Sequence, residues 1–305
     1  MANKKKPMPT KAPNTTSGTS TTKAGTVGSK PSIPIASYIS IAGVHSTLWA
    51  FAVLFLPRTS FLSPLTTPEW DPTQLTSRDK PQHPFLEPLT LNPTATLLWI
   101  CFGAAVLQTW WASWLRKWWL DIGLRGSDAE KRVERQQYDG QIFAMFRDAW
   151  LATLATTLPI HFILVLFGAS FVTHVTKTYL LALLLSIMVV YPPALVIGIP
   201  TLSNNSGAMF RRWTWVRLFA EFWPRNLVER ALVYPATGAV LGTWVGAFPI
   251  ALDWDRPWQA WPLTPTFGAV AGFILASIAS VTVSSIHQVL QEHAESQGNA
   301  QAKID

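Results

Sequence analysis

The densest group of chemically capable side chains is the run Leu252-Asp253-Trp254-Asp255-Arg256-Pro257-Trp258-Gln259-Ala260-Trp261-Pro262. It puts two carboxylates, one guanidinium and three indoles into eleven residues. An Asp-x-Asp pair can hold a divalent cation, as in transferases that use nucleotide sugars. Three readings compete for this run. It is a surface turn anchored by Trp254, Trp258 and Trp261, with Asp255 paired to Arg256; or a contact for a lipid or partner protein; or a metal-dependent catalytic pair. Nothing else in the chain resembles a nucleotide fold, which weakens the third.

The remaining candidates are sparse. His45 and His161 fall within apolar stretches, where an ionisable group is by default a functional hypothesis. A neutral imidazole bonded to a neighbouring helix is the plainer expectation. His287 and His293 read as a solvated helix terminus. No His-x-x-x-His pair, Gly-rich phosphate loop or Gly-x-Ser-x-Gly elbow occurs. The one cysteine, Cys101, excludes an intrachain disulfide and a Cys-based zinc site within one chain. Neither a catalytic residue nor a bound metal is therefore assigned.

The surrounding elements explain why polar chemistry is so scarce. Of 305 residues, 49 % are hydrophobic and only 13 % charged, against about 25 % charged in soluble domains. Sixteen Trp against five Tyr is a bias toward the residue found at membrane–water boundaries. This composition disfavours a soluble enzyme, a disordered protein and a fibrous one. Crossing a hydrocarbon core of about 30 Å takes roughly 20 helical residues. Six segments qualify, near 34–56, 95–115, 149–172, 179–199, 231–251 and 266–286, together forming a transmembrane domain over 34–290. Backbone in lipid must satisfy its own hydrogen bonds, so all six are expected as helices and the fold as all-α. Pro192-Pro193 predicts a kink in the fourth. Pro235, Pro249 and several glycines make the fifth the weakest.

Residues 1–33, rich in Lys, Pro, Thr and Ser, read as a disordered tail without a cleavable leader, and 291–305 as a second tail. With six spans, 19 of the 24 Lys and Arg fall on the face that carries both tails. The positive-inside rule makes that face, and both termini, cytoplasmic. The net charge of +7 thus reflects cytoplasmic loops, and no nucleic-acid partner is expected. On the same face, Trp110, Trp111, Trp114, Trp118 and Trp119 read as an aromatic belt beside Arg116 and Lys117, or as a lipid headgroup site. Residues 209–227 read as an interfacial helix, with Phe210, Trp213 and Arg217 on one face.

Glycines repeat at four-residue spacing in the last two spans: Gly238, Gly242 and Gly246, then Gly268 and Gly272 followed by Ala276 and Ser280. Such stripes let backbones approach closely, which favours helix association where apolar burial gives no preference. The spacing predicts a packed hairpin and leaves open whether another protein's helix also joins it.

The stretch Gly242–Pro262, with its Asp253-Trp254-Asp255-Arg256-Pro257-Trp258-Gln259 run, resembles the C-terminal signature of the PIG-F family of glycosylphosphatidylinositol (GPI) anchor biosynthesis proteins. Leu164–Ala169 and Thr178–Ser186 look like that family's middle helices. The resemblance implies a multi-pass protein of the endoplasmic reticulum membrane acting late in GPI assembly, when ethanolamine phosphate is added to the mannoses. It implies a stabilising subunit that binds large transferase partners, with the metal on those partners and none here. The Gly238–Ala276 hairpin would then be the packing and partner element, and Asp253–Trp261 a lumenal brace. A transporter or flippase for a lipid or a GPI intermediate, and a stand-alone transferase using Asp253 and Asp255, are the alternatives.

Overall fold

A computed structural model describes residues 35–59, 83–123 and 140–301. The tail 1–33, the end of the C-terminal tail, most of the segment preceding the second span and the basic cluster around Arg125–Arg135 lie outside these residues. Within them the chain is all-helical, without a strand. The main elements are α1 (Ile35–Phe55), α2 (Glu87–Thr90), α3 (Pro93–Gly123), α4 (Ile142–Leu166), α5 (Val175–Val189), α6 (Tyr191–Val196), α7 (Ser206–Phe219), α8 (Leu227–Ala247) and α9 (Leu263–Gln301).

Five helices among the described residues are long and apolar enough to cross a membrane: those built on α1, α3, α4, α8 and α9. The chain is a multi-pass membrane protein. The fourth expected span, 179–199, is broken. α5 has 15 residues, short of a full crossing, and the chain bends at Val190 before resuming as α6. Pro192 and Pro193 lie in the first turn of α6, where a missing N–H is harmless but the preceding helix cannot continue. The two pieces together still run beside α3. Cys101 Sγ donates to the Leu180 carbonyl (3.4 Å) at one end, and Arg116 Nη1 donates to the Leu195 carbonyl (2.9 Å) at the other.

Other boundaries depart from the expected ones for local reasons. α4 stops at Leu166, six residues early. Gly168, at φ 105°, takes the left-handed position that ends a helix, and Ala169 N–H and Gly168 N–H cap the Leu164 and Val165 carbonyls at 3.0 Å each. Pro235 sits inside α8 without ending it. α9 runs 39 residues, about 58 Å at 1.5 Å per residue, so it outruns the bilayer core and carries most of the expected tail as helix. The interfacial helix expected at 209–227 runs instead over Ser206–Phe219, started by the Asn205 side chain on the Ala208 N–H, and Asn226 caps the next helix in the same way.

Two buried clusters fill the bundle. One joins Tyr38, Trp111, Leu115, Trp118, Tyr191 and Leu232; the other joins Trp49, Leu97, Leu181, Leu184 and Phe273. Tyr38 OH and Ser280 Oγ share a 2.9 Å hydrogen bond, which places the start of α1 beside the middle of α9. α8 and α9 are antiparallel and in backbone contact. A methyl group on Gly242 would overlap the Gly268 carbonyl and come within 3.1 Å of the Gly272 Cα. One on Gly268 would come within 2.9 Å of the Gly246 Cα. Those atoms are main chain, so neither helix can yield without moving as a body.

A Gly242→Leu substitution is therefore expected to force α8 and α9 apart and cost more than the about 1–3 kcal/mol of ordinary overpacking. Gly43→Leu, where nothing lies within 4 Å of the added carbon, is the matched control. Heating both variants in detergent and following the monodisperse peak by size exclusion checks this: Gly242→Leu should lose the peak well below wild type, and Gly43→Leu should match it.

Candidate functional site

The loop joining α8 to α9 is organised by a residue that composition does not single out. Gln259 accepts from the Arg256 backbone N–H through Oε1 at 2.8 Å, and its Nε2 donates to the Pro249 carbonyl at 2.6 Å and the Leu252 carbonyl at 2.8 Å. One amide thus satisfies three main-chain groups and closes residues 249–259 into a compact turn. The sequence trace of this role is Arg256-x-x-Gln259, the spacing at which a glutamine reaches back to the backbone before a helical turn.

Around that turn the indoles divide. Trp254 is exposed and meets Trp258 edge-on, 5.7 Å between centroids. Trp261 turns inward and donates Nε1–H to Thr178 Oγ1 at 3.0 Å, tying the loop to the start of α5. Asp253 and Asp255 are exposed. Asp255 has φ 46°, a left-handed conformation that Asp tolerates better than most residues. Among the described residues, no group of three His, Cys, Asp or Glu side chains converges where it could hold a metal ion.

The expected hairpin glycines meet each other. Gly238 faces Gly272 and Ala276, Gly242 faces Gly268, and Gly246 faces the main chain of Thr264 and Pro265. Both stripes are consumed by this contact, so these faces have no room for a further helix.

The two histidines differ. His45 is buried, stacks on Trp111 at 4.6 Å and 7°, and accepts from Trp49 Nε1 at 3.2 Å. Accepting needs a ring lone pair, so His45 is neutral and serves packing. His161 lies 6.3 Å from the Tyr179 ring, and its buried Nδ1 has no partner among the described residues. Gln108 is fully buried, and neither end of its amide is bonded to another of the described residues.

At the opposite end of the bundle from Trp261 lies a charged clamp. Arg217 donates to both carboxylate oxygens of Glu229, at 2.6 and 2.9 Å, and to the Trp223 carbonyl at 2.7 Å. Glu229 also accepts from the Arg225 N–H at 2.6 Å. Bonding to Glu229 raises the Arg217 guanidinium above its ordinary range, against the opposing effect of burial. The clamp corrects the expected grouping of Phe210, Trp213 and Arg217. Phe210 and Trp213 are exposed, as an interfacial helix requires, but Arg217 turns inward to the base of α8. Asn226-x-x-Glu229, a helix-start spacing, was the available signal.

The sequence profile of the GPI biosynthesis protein family Pig-F matches residues 82–281, which run from just before α2 to the middle of α9. The chain belongs to the PIG-F family. It is similar to glycosylphosphatidylinositol anchor biosynthesis protein 11 of Pyricularia oryzae, 39 % identical over 136 residues, covering 45 % of this chain and 46 % of the relative. It is also similar to the GPI ethanolamine phosphate transferase stabilizing subunit of Mus musculus (35 % over 127 residues, 42 % and 53 % covered) and of Homo sapiens (32 % over 127 residues, the same coverage). The matches thus span about half the length of these curated relatives. No solved structure matches. Within the PIG-F match lie α2 to α8, the Gln259-centred loop, the glycine contacts and the Arg217–Glu229 clamp.

Replacing Gln259 with Ala removes three main-chain bonds at once, each worth about 1 kcal/mol net. Amide hydrogen exchange should then accelerate by about tenfold or more across 249–260, while α8 above Gly246 stays protected.

Proposed function

We propose that this chain is a non-catalytic, stabilising membrane subunit of a GPI ethanolamine-phosphate transferase in the endoplasmic reticulum membrane. It would act when ethanolamine phosphate is added to a mannose of the GPI glycan. The observation that carries this reading is the PIG-F match over residues 82–281, together with the stabilizing-subunit name borne by the mammalian relatives.

The chemistry of the described residues supports an assembly role. The polar groups that sequence or geometry singles out are largely engaged in holding the chain itself: Gln259 on three main-chain groups, Glu229 on Arg217 and Arg225, Trp261 on Thr178. Asp253 and Asp255 stand exposed without a third ligand beside them. The α8–α9 hairpin would act as a rigid post that presents its outer side chains to the transferase, and residues 253–261 would brace it on the lumenal side. Charge supports that orientation: Arg116, Lys117, Arg211, Arg212, Arg217 and Arg230 lie on loops and helix ends away from Trp261, and the positive-inside rule favours the cytosol for such a face. Large transferase subunits would supply the metal and the catalysis.

Purification of the chain in mild detergent followed by mass spectrometry should recover a large ethanolamine-phosphate transferase with it; its absence would refute the reading. Asp253→Asn is expected to leave transfer by the assembled complex within about twofold of wild type, the usual reach of an exposed substitution. Loss of transfer with the complex intact would instead give Asp253 a direct part in the reaction. Gly242→Leu should reduce the transferase recovered.

A further inference from the structure

Among the described residues, a concavity lies away from the glycine hairpin. A groove of about 700 Å³ runs along the outer side of α3, floored by the small residues Ala105, Thr109 and Ser113 and walled by Trp110, Trp114 and, from α4, Trp150. It lies within the volume range of ligand sites, about 300–1,000 Å³. Its floor is apolar in effect, because the two hydroxyls are spent inside the protein. Thr109 Oγ1 donates to the Ala105 carbonyl and Ser113 Oγ to the Thr109 carbonyl, each at 2.7 Å. One end is marked by Phe102, and the other by Lys117, an exposed cation whose Nζ lies 5.3 Å over the Trp114 ring.

Length and charge identify the occupant. From Phe102 to Lys117 is fifteen residues, about 22 Å of helix at 1.5 Å per residue. Half of a hydrocarbon core of about 30 Å, with one interfacial layer of about 6 Å, comes to the same length. The groove is one leaflet deep, apolar along its length and cationic where the headgroup layer begins. A partner's transmembrane helix would cross both leaflets and has no use for a lone cation at one end. We propose that this groove holds a single diacyl glycerophospholipid, one acyl chain along Ala105–Ser113 and its phosphate at Lys117. The indoles of Trp110, Trp114 and Trp150 flank the lipid near its glycerol, the depth at which tryptophan is enriched.

The test uses the full chain, together with the proteins that co-purify with it, in phosphatidylcholine nanodiscs. These are doped with phosphatidylcholine or diacylglycerol carrying a diazirine in one acyl chain. After irradiation, label should concentrate on α3 between Phe102 and Ser113 and on Trp150. The phospholipid should label about fivefold more than the diacylglycerol, the ratio that one net hydrogen bond of Lys117 to the phosphate confers. Lys117→Gln should remove that preference while leaving diacylglycerol labelling unchanged. Ala105→Phe should fill the floor and lower both. Label spread evenly over outward side chains such as Leu158 and Leu275 would overturn the proposal, because it would mean bulk lipid only. So would a cross-linked partner helix found in the groove in place of lipid.

Discussion

The contact on which this molecule depends is the meeting of two main chains. α8 and α9 touch through Gly238, Gly242 and Gly246 on one side and Gly268 and Gly272 on the other, with no side chain between. In lipid, pushing apolar surfaces together releases no water, so helices associate through close packing and polar bonds. A bare backbone contact over several turns gives the first. The hairpin is thereby held close along its length, and α1, α3 and α5 pack against it.

Polar bonds do the rest, and many of them sit at the two ends of the hairpin. At one end Glu229 binds Arg217 through both oxygens and takes the Arg225 N–H as well. A carboxylate buried this deeply is tolerable only with its partners in place, and losing one would leave an uncompensated charge. The clamp therefore fixes the angle at which α7 meets α8. At the other end Gln259 closes the connecting loop, and Trp261 ties it to Thr178. Between the ends, aromatic packing around His45, with Trp49, Trp111 and Phe273, is joined by single polar bonds such as Tyr38 to Ser280 and Ser186 to the Thr153 carbonyl. A molecule with its polar groups so engaged and broad apolar faces left outward, α4 above all, is suited to being built upon.

Much of this was legible in the residues. Six apolar stretches, the four-residue glycine spacing and the break foreshadowed by Pro192-Pro193 follow from local rules that operate within a helical turn or over the width of a bilayer. The expected aromatic belt does not hold as a whole: Trp111 and Trp118 turn into the core against Tyr38 of α1. The run from Asp253 to Gln259 carries the PIG-F resemblance. Less visible was which polar residue matters. Asp253, Asp255 and the indoles stand out in composition by charge and ring size, while Gln259 organises the loop. Its role depends on the Pro249 and Leu252 carbonyls turning toward it, and no spacing encodes that.

The sequence by itself determined that the chain is helical and lives in a membrane, because apolar length and the need to pair every backbone group in lipid leave no other structure. It also determined that the last two spans could come close, since only glycine and similarly small residues permit it. What they close upon was decided by the tertiary structure. Each stripe could have received another protein's helix, and the antiparallel register spends both on each other. The same holds for Arg217, which belongs by periodicity to the outward face of α7 and by fold to Glu229. Periodicity ranks the faces of one helix, whereas the partner of a face is a property of two helices and their register. Only the folded chain contains that information.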